Sequence, residues 1–208
     1  MKLFLSSYFS GAATLFAAWT HDAYAGKRVA FIPTASKHEK VTFYVDADKK
    51  ALVKLGLIVD VLDVSEVPSD ETAQRLDEAA CIFVEGGNTF FLLQELRRTG
   101  ADARIRAQAA GGKLYVGASA GSMVAAASIE YARLMDKPSA APELNGDYAA
   151  LGLVDFCVVP HFTNFPFKKA AEKIVQTYGD TLDLRPVSNH QAIVVEDGVA
   201  TLLSAEKK

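Results

Sequence analysis

The chain has 208 residues, half of them hydrophobic and 23% charged, with a net charge of −3. That is enough for one globular domain with a sizeable core and leaves no room for a second. There is no run of Lys and Arg, which excludes nucleic acid as a natural partner, because phosphate binding needs concentrated cations.

Met1-Lys2 precedes an apolar stretch, and Ala23-Tyr24-Ala25 resembles a signal-peptidase site. Ser6, Ser7, Tyr8, Ser10 and Gly11 break that stretch too often for a membrane span. Residues 2–6 are therefore read as a strand followed by a helical segment; cleavage to a chain starting at Gly26 is the competing reading. Residues 27–32 form a second strand, stopped by Pro33, and residues 33–36 a loop. Tyr44, Ala47, Ala51 and Leu55 recur at helical spacing, with Gly56 as the stop. Residues 57–62 are a third strand. Ser69-Asp70-Glu71-Thr72 opens a helix that runs to Ala79.

Residues 81–84 form a fourth strand ending in Glu85-Gly86-Gly87-Asn88-Thr89. Phe90, Leu93 and Leu96 then mark a helix closed by Gly100, and residues 103–110 a shorter one. Lys113 opens a fifth strand. Solidly apolar strands alternating with helices predict a mostly parallel sheet covered on both faces. Residues 136–152 read as an irregular excursion. Residues 155–159 are a strand stopped by Pro160-His161, and Phe167, Ala170, Ile174 and Tyr178 lie on one face of a helix. Residues 192–196 and 199–203 form a hairpin around Asp197-Gly198. No repeat or linker divides residues 1–208, so one domain is expected.

The two cysteines, Cys81 and Cys157, sit in apolar strand-like runs. They read as buried thiols of a reducing compartment, and a cytoplasmic protein is expected. The histidines at 21, 38, 161 and 190 show no metal-ligand spacing, so neither a metal nor a cofactor is expected.

The fifth strand runs into Gly117-Ala118-Ser119-Ala120-Gly121, and helix formers follow from 122 to 127. A serine between glycines at a strand-to-helix switch is a nucleophile-elbow pattern, or else an ordinary glycine-rich turn. A serine needs a base, and His161, at the end of a strand, is the best candidate. Adjacent glycines free backbone amides, so Gly87 and Ala120 are candidates for an oxyanion hole. Asn88 suits both a helix cap and substrate contact. Asp136 and Asn189 are the candidates to orient His161, and spacing does not choose between them. His190 with Asp155 or Asp183 offers a rival in the chain order of an α/β-hydrolase esterase.

Three segments taken together, residues 84–90, 117–121 and Pro160-His161-Phe162-Thr163-Asn164, resemble in order the signature segments of the aspartyl dipeptidase (peptidase E) family of serine peptidases. The resemblance runs from Leu3 to the final hairpin. It implies a three-layer α/β/α sandwich, flavodoxin-like and similar to class I glutamine amidotransferases. It implies Ser119 as nucleophile, His161 as base, and the Gly87 and Ala120 amides as oxyanion hole. In that family the histidine partner is placed either at an acid after the elbow helix, which Asp136 matches, or at an acid before the last hairpin, where this chain has Asn189. The dipeptidase also carries an Arg-containing segment after its histidine. Here the chain goes directly to Phe165-Pro166-Phe167-Lys168-Lys169, and Lys168 or Lys169 is the candidate to replace that charge, with a solvated surface lysine as the competing reading.

The expected function is hydrolysis of a short peptide or small amide, with N-terminal aspartate as one preference, through an acyl-enzyme on Ser119. The competing class is a non-catalytic or weakly active binding domain, which Asn189 favours. No membrane partner is expected, and a homodimer is one assembly the reading allows.

Overall fold

The computed structural model of the chain describes residues 1–205. Short apolar runs form β1 (Lys2–Ser6), β2 (Arg28–Ile32), β3 (Ile58–Val61), β4 (Cys81–Val84) and β5 (Leu114–Ala118). These five lie parallel in the order β3-β2-β4-β5-β1. Further on come β6 (Cys157–Val159), β7 (Leu184–Pro186), β8 (Gln191–Glu196) and β9 (Val199–Ser204). The hairpin β8-β9 extends the sheet to seven strands, with β8 antiparallel to β1. Strand β1 is thus an interior strand, and its Leu3, Phe4 and Leu5 are fully buried.

Side chains alternate between the two faces of the strands. One face carries Phe4, Phe31 and Phe83, and packs on Phe9 and Phe16 of α1 (Phe9–Thr20) and Leu52 of α2 (Phe43–Lys54). The Phe9 and Phe83 rings meet edge-on with centroids 5.0 Å apart. The other face carries Leu3, Leu5, Ile32, Ile82 and Tyr115. It packs on α3 (Ser69–Glu78), α4 (Thr89–Thr99), α5 (Ala101–Ala110), α6 (Ala120–Met123) and α7 (Lys168–Tyr178). Helices on both faces of a mostly parallel sheet make the expected three-layer α/β/α sandwich.

Two elements differ from the sequence reading. The helix after Ser119 lasts one turn, because the carbonyls of Val124, Ala125, Ala126 and Ala127 accept amides from residues 150–154 instead of continuing the helix. Strand β6 does not join the main sheet. It pairs in parallel with β7, a strand the sequence reading missed, and that pair stands apart as a second sheet.

Register brings three strand ends together. Val84 of β4 lies opposite Gly117 of β5, and Ala118 of β5 lies opposite Ser6 of β1. The residues that follow, from Glu85, Ser119 and Ser7 onward, therefore emerge side by side at the carboxyl rim, where parallel α/β sheets bind ligands.

Candidate active site

Ser119 sits at this rim in a sparsely populated backbone conformation, φ 48° and ψ −108°. The close approach around it explains the flanking glycines. A Cβ at Gly117 would lie 2.6 Å from the Gly121 carbonyl oxygen, and one at Gly121 would lie 2.0 Å from the Val84 carbonyl oxygen. The Ser119 amide donates to Ser6 O at 2.9 Å. Ser122 Oγ bridges the Ser6 and Gly117 carbonyls at 2.7 and 2.9 Å. The strained turn is held by contacts on every side, which is what permits such strain to persist.

His161 Nε2 lies 2.9 Å from Ser119 Oγ, and His161 Nδ1 lies 2.8 Å from Asn189 Oδ1. With a carbonyl oxygen facing Nδ1, that nitrogen carries the proton and Nε2 is left to accept from the serine hydroxyl. Burial pushes the imidazole below its usual pKa, and the Asn189 contact partly opposes this. The ring is therefore neutral, the form a base needs, over a wider range of pH.

His161 itself has φ 59°. Its amide donates to Ser7 Oγ at 2.9 Å, and the Ser7 hydroxyl donates onward to Val187 O at 2.6 Å. The Phe162 amide also reaches Val187 O, and the Asn189 amide donates to Asn164 Oδ1 at 2.9 Å. Phe167 stacks on the imidazole with centroids 4.9 Å apart. Sequence reasoning missed Ser7 as a support. Its only signal was a polar pair, Ser6-Ser7, ending a buried strand.

Gly87 has φ 135°, and a Cβ there would lie 2.2 Å from Ala35 O. Among the described residues, neither the Gly87 nor the Ala120 amide donates to a protein acceptor. Gly86 passes close to the serine, since a Cβ on it would lie 3.1 Å from Ser119 Cβ.

Several candidates are placed elsewhere. Asp136 does not serve His161. Its carboxylate accepts the Thr89 amide at 2.9 Å and the Thr89 hydroxyl, at the start of α4. Burial pushes its pKa up to about 6 against those donors. Asn88 has a structural task at the start of α4. Its Oδ1 caps α4 through the Phe90 and Phe91 amides, and its Nδ2 donates to Lys137 O. Lys168 is exposed and pairs with Glu172 at 3.8 Å, one turn along α7. The rival with His190 fails on geometry: Ser119 Oγ meets His161, while His190 is exposed. Asp155 is exposed and Asp183 pairs with Arg185. Among the described residues no cluster of three or more His, Cys, Asp or Glu is arranged to hold a metal ion. No helix among them is long and apolar enough to cross a membrane.

Comparison with known proteins adds names to this geometry. The profile of peptidase family S51 matches residues 3–203. An uncharacterised peptidase of Listeria innocua is 51% identical over 94% of this chain and 93% of its own length. A peptidase E of Streptomyces coelicolor is 40% identical over 66% of this chain and 52% of its own length. The crystal structure of a candidate peptidase E from Listeria monocytogenes superposes with a TM-score of 0.94 at 45% identity, covering 99% of this chain and 98% of that one.

Proposed function

This chain belongs to peptidase family S51 and is a serine peptidase, and from that premise we propose that it cleaves short peptides through an acyl-enzyme on Ser119. The observation that carries the reading is the line Ser119 Oγ–His161 Nε2–His161 Nδ1–Asn189 Oδ1, with contacts of 2.9 and 2.8 Å. Ser119 Oγ attacks the scissile carbonyl carbon as its proton passes to His161 Nε2. The carbonyl oxygen, now negative, rests on the Gly87 and Ala120 amides. His161 then protonates the leaving amine. Water, deprotonated by the same imidazole, releases the acid and restores the serine. Asn189 orients the ring but brings no negative charge to stabilise the imidazolium, so the working pair is neutral at rest.

The surroundings favour a short substrate without an aspartate requirement. Residues after His161 present Phe162, Phe165 and Phe167, with Phe165 92% exposed, and Lys168 is engaged with Glu172. The unpaired, buried thiols of Cys81 and Cys157 support a cytoplasmic setting. A fluorophosphonate probe tests the nucleophile. Labelling of the wild type that disappears in Ser119→Ala is expected, and labelling that survives this substitution would rule out Ser119. A dipeptide library then reads the N-terminal preference.

A further inference from the structure

The turn that carries Gly87 is anchored from beneath by an acid the mechanism above leaves unused. Glu85 is 1% exposed. Its Oε1 accepts the Gly86 amide at 2.7 Å, and its Oε2 meets no partner among the described residues. Near it lies Asp48 of α2, fully buried, and each carboxyl acts on the ionisation of the other. The two oxygens of Asp48 accept the Phe9 and Ser10 amides, at 3.3 and 2.8 Å, at the start of α1. Two carboxylates buried this closely cannot both stay ionised. One proton on Glu85 Oε2, donated to Asp48, satisfies the orphaned oxygen. The charge then stays on Asp48, where two amides and a helix N-terminus stabilise it.

We propose that Glu85, hydrogen-bonded to Asp48, is a positioning residue for the oxyanion hole: it holds the Gly86 amide inward so that the next amide, Gly87, is left to face Ser119. The inference rests on the serine reading of the site. Consecutive amides of the turn are divided between the two tasks, Gly86 to Glu85 and Gly87 to no protein acceptor. The far end of the pair reaches the histidine side. Asp48 fixes the start of α1, and Gly11 in that helix packs so close to Asn189 that a Cβ would lie 2.2 Å from the Asn189 carbonyl oxygen. One shared proton thus ties the oxyanion turn to the loop that orients His161.

Burial pushes the Glu85 carboxyl well above the usual range, and the Asp48 charge adds to it. The groups facing Glu85 are Asp48, the more distant Lys49 and the buried Tyr44 hydroxyl, all on α2. Tyr44 in turn feels Glu39 and Asp136. The neutral form of Glu85 is the working one. Losing its proton at alkaline pH sets two carboxylates against each other and displaces the turn.

The test uses the full chain and a fluorophosphonate, with kinact and KI measured across pH. In this reaction a bond forms between Ser119 Oγ and phosphorus, the P–F bond breaks, fluoride leaves and the hydroxyl proton passes to His161. The phosphoryl oxygen occupies the hole. In Glu85→Met, which fills the volume without either hydrogen bond, kinact is expected to fall about 100-fold with KI within about threefold, the size of effect seen when an oxyanion donor is lost. Glu85→Gln is the conservative rescue, because its amide can accept from Gly86 and donate to Asp48. It is expected to recover kinact to within about fivefold and to abolish the alkaline decline of the wild type. A Glu85→Met protein as reactive as the wild type overturns the proposal. So does Glu85→Gln with an unchanged alkaline limb, which decides the matter if the methionine variant does not fold. A wild type that takes no label fails before any substitution at 85, and removes the serine reading together with this one.

Discussion

Ser119 is fixed by backbone contacts in the middle of the main sheet, whereas His161 is fixed by side-chain hydrogen bonds in loops beside it. On the serine side, Gly117 and Gly121 let three pieces of main chain touch, and the surrounding residues are buried. On the histidine side, the holding groups are Ser7, Asn164 and Asn189, and the ring is partly buried. The difference teaches that the nucleophile is placed by what cannot be added, and the base by polar groups that must be kept. Steric placement fails as a loss of fold, while polar placement fails as a loss of rate.

The largest expected effect breaks the serine side. Gly121→Ala drives a methyl group into the Val84 carbonyl, and denaturant unfolding should show a loss of about 3 kcal/mol or more. Next is Ser7→Ala, which removes both hydrogen bonds of that hydroxyl. About 1–3 kcal/mol of stability should go, yet the protein should stay folded, and kcat should fall about tenfold as His161 shifts. An equal loss of kcat and fold in both variants would erase the distinction between the two sides.

Asn189→Asp sharpens the comparison without removing a contact. A carboxylate at this place stabilises imidazolium and raises the His161 pKa, which burial now holds low. The base is then protonated at higher pH, so the acid limb of kcat/KM should move upward, as read in a pH profile of turnover. A limb that stays in place would deny His161 its role as base.

The smallest effect on rate is expected from Asp136→Asn, because that carboxylate serves Thr89. Turnover should change by less than about threefold, with stability as the informative readout. The folded pKa of about 6 stands above the unfolded value near 3.8. The group's contribution is therefore complete below the unfolded value and is lost as pH rises towards the folded one. Wild type should lose about 3 kcal/mol as pH rises from below the lower value to above the higher one, and the asparagine variant should not.

The same contrast explains what was legible in the sequence. The elbow, the Gly86-Gly87 turn and the parallel strands could be read because each leaves a local pattern in the sequence, glycines around a serine or beside one another and short apolar runs, even where the contacts that demand it are distant. Strand β7 could not, since Leu184-Arg185-Pro186 is short, charged and closed by proline, and acquires its strand character only by pairing with β6. The early end of α6 was hidden for a similar reason: the groups that capture its carbonyls are residues 150–154. The choice between Asp136 and Asn189 depended on loops that meet across 28 residues and on an α1 position set by Asp48. Charge alone favoured Asp136, but Thr89 already held it.

Strand β1 stands between β5 and β8, neighbours that begin at residues 114 and 191. One edge of β1 can be matched once β5 is present, but the other stays open until β8 is available, and pairing at such sequence separation slows assembly. Asn189 lies two residues before β8. A nascent chain halted near residue 180 carries the serine and the imidazole but neither the closing strand nor the amide that aims the ring, and is expected to be catalytically silent. Hydrolytic power therefore arrives only once the Asn189 loop and β8 are in place, so a partly assembled molecule poses little hazard to the peptides around it.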